Sequence, residues 1–108
     1  MLKAVDAVLA KAGYLVLDAR SGTSALARMK GISGPAVAVI DLVMPTMDGW
    51  ELIAQMKKDP GLALMPIIVC TAHGSSQVDG AWLVLNKPVS VPAILAAVRE
   101  SFEAISGR

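Results

Sequence analysis

The sequence predicts an α/β fold in which a parallel β-sheet is covered by helices on both faces. Short apolar runs alternate along the chain with longer stretches in which apolar residues recur every three or four positions. The apolar runs lack the in–out alternation of half-exposed strands, so they are typical of strands buried on both faces. Because no internal repeat or long linker divides the chain, we expect residues 1–108 to form one domain.

The first half of the chain predicts two helices and two strands. The first helix is predicted by apolar residues at helical spacing, namely Leu2, Val5, Leu9 and Ala12. Gly13 ends this helix as a C′ glycine would, and residues 14–17 predict a short strand. A brief helix follows Ser21, and residues 36–40 form an apolar run typical of a buried parallel strand.

The second half predicts two longer helices, a strand at residues 67–70 and another at 81–85, with room for only a short helix at 74–80. Asp48 is expected to cap the third helix, and Ser90 the last one. The resulting order is α-β-α-β-α-β-(short α)-β-α, which is typical of a parallel sheet with crossover helices.

Composition and charge exclude several classes of function. The net charge is +1 and the chain has no block of basic residues. It therefore lacks the positively charged surface that nucleic-acid binding requires. No apolar run approaches the roughly 18 residues that a membrane-spanning helix needs. Cys70 is the only cysteine, which excludes an internal disulfide and a cysteine-based metal site. We therefore expect a cytoplasmic protein that binds neither nucleic acid nor membranes.

The chain is also unusually apolar. It is 55% hydrophobic and 18% charged, whereas about 25% of residues are charged in a typical soluble domain. Two interpretations of this low charge content remain open. In the first, alanines occupy the exposed helix faces. In the second, the chain has an extensive partner surface or lacks part of its fold.

Polar side chains follow three successive predicted strands: Asp41, Thr71 and Lys87. Because the carboxyl ends of parallel strands share one edge of the sheet, these groups can converge on one cleft. A carboxylate, a hydroxyl and an ammonium group suit phosphoryl transfer, with Asp41 as the nucleophile. Thr71 and Lys87 would then bind the oxygens of the transferred group. Each residue alone is weak evidence, but all three occur in order, with Asp41 beside the Met-Pro-Thr-Met-Asp-Gly loop of residues 44–49.

The sequence resembles the receiver domain of bacterial two-component response regulators. The matching stretches are residues 12–14, 41–49, 67–72 and 85–89. The resemblance implies a flavodoxin-like fold in which Asp41 is the phosphoacceptor, Thr71 the switch hydroxyl and Lys87 the phosphate-binding lysine. It also implies a Mg²⁺ site that includes Asp41 and the backbone carbonyl of Val43. The implied phosphodonor is a sensor histidine kinase or a phosphotransfer protein.

The largest departure from the family lies at the N-terminus. Family members begin with a strand that ends in a Mg²⁺-binding acidic pair. In the family this pair lies more than twelve residues before the glycine equivalent to Gly13, whereas only twelve residues precede Gly13 here. We therefore expect the first strand and the acidic pair to be absent. Asp6 cannot replace the pair, because it lies within the first predicted helix. With most carboxylate ligands missing, Mg²⁺ binding should be weak or absent.

The missing strand also affects the sheet. The family's strand order, 2-1-3-4-5, places it between the strands that hold Leu15 and Val39. Both neighbours would expose unpaired backbone groups, a costly and association-prone condition. We expect a homodimer or another association that rebuilds the sheet, or a rearranged or marginal fold.

Two smaller departures concern signalling. Thr71 and Lys87 are sixteen positions apart, fewer than the family usually has, so the fourth helix is expected to be shortened. Val84 stands where the family commonly has an aromatic residue, which argues against the usual hydroxyl–aromatic coupling.

The sequence thus predicts a regulatory domain rather than an enzyme, phosphorylated on Asp41 by a sensor histidine kinase. It would be an N-terminally incomplete receiver with no output domain. The alternative is a phosphate-independent pseudo-receiver that acts as a protein interaction module. A cofactor binder of the same fold is disfavoured by the absence of a glycine-rich phosphate loop.

Overall fold

The computed structural model describes residues 3–16, 21–32, 35–41, 49–71, 78, 80–86 and 89–106. These residues contain four helices and three strands: α1 (Lys3–Lys11), α2 (Gly22–Met29), β1 (Ala38–Asp41), α3 (Gly49–Lys58), β2 (Ile67–Thr71), β3 (Leu83–Asn86) and α4 (Val91–Ser106). The strands form one parallel sheet in the order β1-β2-β3. The predicted α/β class is confirmed.

Helices cover both faces of this sheet. One face packs against α2 and α3, in a core that contains Ala38, Ile40, Leu52, Ile53, Met56, Leu62, Ile67, Val69 and Val78. The other face packs against α1 and α4, in a core that contains Leu9, Ile68, Ile94, Ala97 and Val98. Every residue of the central strand β2 is buried. This burial explains why the apolar runs show no alternation.

The end of α1 has the predicted glycine geometry. Gly13 has a φ of 101°, in the left-handed region that a Cβ disfavours. The Tyr14 N–H donates to the Leu9 carbonyl at 3.1 Å, as in a Schellman motif. The chain therefore turns sharply after α1.

Side-chain caps begin two other helices. Ser21 Oγ accepts a hydrogen bond from the Ser24 N–H at 3.1 Å, and Ser90 Oγ accepts one from the Ala93 N–H at 3.2 Å. Each bond satisfies a donor that the first helical turn leaves unpaired. The predicted cap of α3, Asp48, lies outside the described residues.

Residues 14–16, predicted as part of a strand at 14–17, form no strand. Tyr14 instead stacks on Phe102 of α4, with ring centroids 5.2 Å apart, and Val16 packs on the same core. A strand requires a hydrogen-bonded neighbour, and the sheet in the described part of the chain ends at β1. Side-chain packing rather than a backbone ladder therefore holds this segment.

The other predicted strands are present with shifted ends. The run at 36–40 becomes β1 at Ala38–Asp41, and the run at 81–85 becomes β3 at Leu83–Asn86. The predicted short helix at 74–80 lies largely outside the described residues. Across the ranges given above, every helix is too short or too polar to cross a lipid bilayer.

Candidate functional site

The carboxyl ends of the three strands lie side by side at one edge of the sheet. Asp41, the last residue of β1, pairs with Cys70 of β2. Thr71, the last residue of β2, pairs with Asn86, the last residue of β3. Since parallel strands are about 4.8 Å apart and rise about 3.3 Å per residue, the Cα atoms of Asp41 and Thr71 are about 6 Å apart.

Thr71 is the most firmly held of these residues. The residue is 1% exposed, and its strand is hydrogen-bonded to neighbours on both sides. A hydroxyl on a central strand is positioned more rigidly than one on a loop. Thr71 can therefore act as a fixed donor beside the strand end that carries Asp41.

The structure places two of the four predicted site residues. Asp41 and Thr71 lie on neighbouring strand ends, as predicted. Lys87 and Val43 lie outside the described residues. Lys87 directly follows Asn86 in the sequence, and Asn86 ends β3 as the register partner of Thr71.

Asn86 is a candidate residue that sequence reasoning missed. It is exposed and is the register partner of Thr71, so its amide is available at the same edge. Sequence reasoning missed Asn86 because the predicted strand ends at residue 85. The position of Asn86 immediately before Lys87 is the signal that could have identified it.

The described residues do not complete a Mg²⁺ site. Among them, no group of three histidine, cysteine, aspartate or glutamate side chains lies close enough to hold a metal ion. Asp6 lies within α1, as expected, rather than at a strand end. Hard cations require several oxygen ligands, usually including more than one carboxylate. Asp41, Thr71 and Asn86 provide a single carboxylate at this edge, which is fewer than a hard cation usually requires.

A cleft of about 310 Å³ lies away from this edge, towards the amino ends of β2 and β3. It is lined in part by Pro66, Ile67, Trp82 and the exposed Leu64. Because the candidate residues lie at the carboxyl ends of the same strands, this cleft is separate from the candidate site.

Residues 1–99 match the family model of the response regulator receiver domain. Domains of this family act in two-component signalling, are phosphorylated by histidine kinases or phosphotransfer proteins and generally bind Mg²⁺. The chain is 34% identical to the transcriptional regulatory protein GlrR of Escherichia coli over 95% of its own length and 24% of that protein's. It is 32% identical to protein PilH of Pseudomonas aeruginosa, over 87% of this chain and 82% of PilH. The chain thus spans about a quarter of GlrR and most of PilH.

Solved receiver structures share the fold. The chemotaxis response regulator CheY4 of Vibrio cholerae is 27% identical, with a TM-score of 0.80 over 90% of this chain and 85% of CheY4. A putative response regulator from Chloroflexus aurantiacus is 28% identical, with a TM-score of 0.81 over 93% of this chain and 86% of that one. The predicted flavodoxin-like architecture is confirmed. These matches show that the chain belongs to the response regulator receiver domain family.

Proposed function

We propose that this chain is a phosphorelay receiver that accepts a phosphoryl group on Asp41. The strand register supports this most directly, because it brings Asp41 and the buried Thr71 together at the carboxyl edge of the sheet. Membership of the receiver family supports the same conclusion. In this proposal the 108 residues act as one regulatory domain, and its partner is a sensor histidine kinase or a phosphotransfer protein.

The proposed chemistry assigns a role to each site residue. An oxygen of the Asp41 carboxylate attacks the phosphorus of a phosphohistidine, and the new O–P bond forms as the P–N bond breaks. The imidazole nitrogen keeps the bonding electron pair and later takes a proton from water, which leaves an acyl phosphate on Asp41. Charge on the transferred oxygens is stabilised by the Thr71 hydroxyl and the Lys87 ammonium group.

We also propose that phosphorylation of this chain is weak. Mg²⁺ would be held by Asp41 and the Val43 carbonyl without the acidic pair that the family provides. Loss of carboxylate ligands lowers the affinity for a hard cation, and so lowers the charge neutralisation that phosphoryl transfer requires.

A phosphate-independent interaction module is the second candidate. The scarcity of carboxylates around Asp41 in the described part of the chain favours this function. Retention of Asp41, Thr71 and Lys87 favours phosphorylation, because an interaction module has no need of this combination. In either case we propose protein partners rather than nucleic acid or membranes. We also propose a homodimer or another association at the outer side of β1, with which no strand of the described residues pairs.

Incubation with Mg²⁺ and a small acyl phosphate, followed by intact-protein mass spectrometry, tests the proposal. We expect a minor fraction of the chain to gain one phosphoryl group. The gain should be lost in Asp41→Asn and kept in Glu103→Gln, which neutralises an exposed carboxylate on α4. Labelling that persists in Asp41→Asn would refute the site. Complete labelling of the wild type would refute weak competence, and its total absence would favour the interaction module.

A further inference from the structure

The cleft at the amino ends of β2 and β3 carries two large apolar side chains that are exposed to solvent. Leu64 is 83% exposed and Trp82 is 43% exposed, and both line this cleft. The buried Ile67 and the half-buried Pro66 line it as well. Single exposed apolar residues are common on soluble proteins, whereas several around one cleft are typical of an interaction site. We call this feature, with Lys57 as its charged member, the Trp82 cleft.

A hydrogen-bonded turn holds Leu64 at the surface. The Leu62 N–H and the Ala63 N–H both donate to the Asp59 carbonyl, at 2.9 and 2.8 Å. The Met65 N–H donates to the Leu62 carbonyl at 3.1 Å. Leu62 is buried in the α2/α3 core and takes the inward position of this turn. The exposure of Leu64 therefore follows from a backbone that is fixed on both sides of it.

The backbone of Trp82 is fixed in a similar way. Its N–H donates to the Ile67 carbonyl at 2.8 Å, directly before the ladder in which Ile68 pairs with Leu83. A side chain on a fixed backbone loses little freedom when a partner covers it. Tryptophan is also among the residues that contribute most to binding at protein interfaces. Trp82 is therefore suited to contact a partner.

Lys57 supplies a positioned positive charge at the same cleft. A Cβ at Gly80 would lie 3.0 Å from Lys57 Cε, so the lysine stem packs closely against this glycine. Lys57 Nζ donates to the Ala63 carbonyl at 3.1 Å. Because an ammonium group has three N–H donors, this bond leaves donors for a further acceptor. The described residues that line the cleft include no carboxylate, so this charge suits a carboxylate from outside.

Positive charge extends along this end of the molecule. Lys57 and Lys58 are the last residues of α3, and a second cleft, of about 370 Å³, is lined in part by Lys30, Lys58 and Asp59. Asp59 Oδ1 accepts a hydrogen bond from the Gly61 N–H at 2.8 Å, so this carboxylate is engaged within its own turn. The C-terminal end of α3 therefore favours acidic partners over basic ones.

We propose that the Trp82 cleft docks an acidic segment of another protein. In this complex a large apolar side chain of the partner lies against Leu64 and Trp82, and a carboxylate beside it binds the Lys57 ammonium group. A second copy of this chain is a poorer occupant, because a two-fold contact through this surface brings the lysines of both copies together. The proposal goes beyond phosphorylation on Asp41, which lies at the opposite ends of the strands, and does not depend on it.

Tryptophan fluorescence of the full chain gives a local readout. The chain has two tryptophans, Trp50 and Trp82, so Trp50→Phe leaves Trp82 as the only reporter and Trp82→Phe leaves Trp50. The probe is a synthetic peptide in which leucine and phenylalanine are flanked by glutamates. One control peptide has lysines in place of the glutamates, and another has serines in place of the apolar residues. We expect only the acidic peptide to shift the Trp82 emission to shorter wavelength, because docking removes water from the indole ring, and no peptide to shift the Trp50 emission.

Variants in the Trp50→Phe background separate the apolar contact from the charged one. We expect Leu64→Ala to raise the Kd of the acidic peptide at least about fivefold, and Lys57→Gln to raise it about two- to fivefold. Leu15→Ala and Lys11→Gln are the matched controls, since both residues are exposed and neither lines the cleft. They should leave the Kd unchanged. Thermal unfolding checks that each variant is folded.

Three results would overturn the proposal: no shift of the Trp82 emission at up to about 1 mM acidic peptide, an equal shift with the lysine peptide, or an equal shift of the Trp50 emission in Trp82→Phe. A shift of the Trp82 emission that follows the protein concentration alone would also overturn it, and would identify a second copy as the occupant. Because no readout involves phosphate, failure here is distinguishable from failure of the Asp41 proposal.

Discussion

Thr71 lies one residue beyond the register partner of Asp41 at the carboxyl edge of the sheet. The acid and the hydroxyl are therefore carried by adjacent, directly hydrogen-bonded strands, with Thr71 on the central one. Because β2 is buried along its whole length, the position of the hydroxyl relative to β1 is set by the core rather than by a loop.

Removal of the Thr71 hydroxyl should slow phosphoryl transfer without unfolding the chain. Loss of one donor to a developing oxyanion typically costs about a hundredfold or more in rate. We expect a loss of that size in Thr71→Val, and retention of most of the rate in Thr71→Ser. Single-turnover transfer from a small acyl phosphate measures the rate, and thermal unfolding checks the fold. Equal rates in the two variants would contradict the assigned role.

Truncation of Ile68 should test the core that supports the site. Ile68 is fully buried on the α1/α4 face of β2, so Ile68→Ala removes buried apolar groups and leaves a cavity. We expect a cost of about 2–5 kcal/mol in the free energy of unfolding. Leu64→Ala is the matched control, since Leu64 is 83% exposed and its truncation should cost no more than about 0.5 kcal/mol. Denaturant titrations measure both costs, and similar losses of unfolding free energy in Ile68→Ala and Leu64→Ala would contradict the described packing.

Gly80 should be more sensitive to substitution than Gly13. Both have positive φ, 88° and 101°, so alanine strains the backbone at either position. At Gly80 a Cβ would also lie 2.9 Å from Ile53 Cγ2, whereas at Gly13 nothing lies within 4 Å. We expect Gly13→Ala to cost about 1–2 kcal/mol and Gly80→Ala about 1–3 kcal/mol more. A chemical denaturation series measures both, and equal costs would contradict the close approach of residue 80 to α3.

No strand in the described part of the chain pairs with the outer side of β1, and this edge should limit the stability of the 108 residues. Unpaired backbone groups on an apolar strand favour association or a marginal fold. We expect either a low Tm or a Tm that rises with protein concentration, because association stabilises the folded state by mass action. Sedimentation and thermal unfolding over a tenfold concentration range provide the measurement. A monomer with a high, concentration-independent Tm would contradict the exposed edge.

Local patterns predicted the elements and helix ends that depend on local chemistry. Gly13 and Ser90 act as predicted, because a cap involves only the residues of one turn. The buried strands were found for a similar reason, since uninterrupted apolar runs reflect burial on both faces. The segment at 14–16 was predicted wrongly, because a strand also needs a partner and its own residues do not reveal whether one is present.

The candidate site was predictable to the extent that it follows from topology. The strand-end positions of Asp41 and Thr71 follow from two apolar runs and a parallel sheet, but their register does not. Which residue of β2 pairs with Asp41 depends on packing between the strands and α3. The sequence did not identify Asn86 as a strand-end residue for a similar reason, because β3 begins and ends later than its apolar run suggests.

The most direct test of the central claim is to locate the phosphoryl group. Borohydride reduces an acyl phosphate on aspartate to homoserine, which tandem mass spectrometry assigns to one position. After treatment with a small acyl phosphate and Mg²⁺, we expect homoserine at position 41 only, in a minor fraction of the chain. Homoserine at another aspartate, such as Asp48 or Asp59, with none at position 41, would contradict the account.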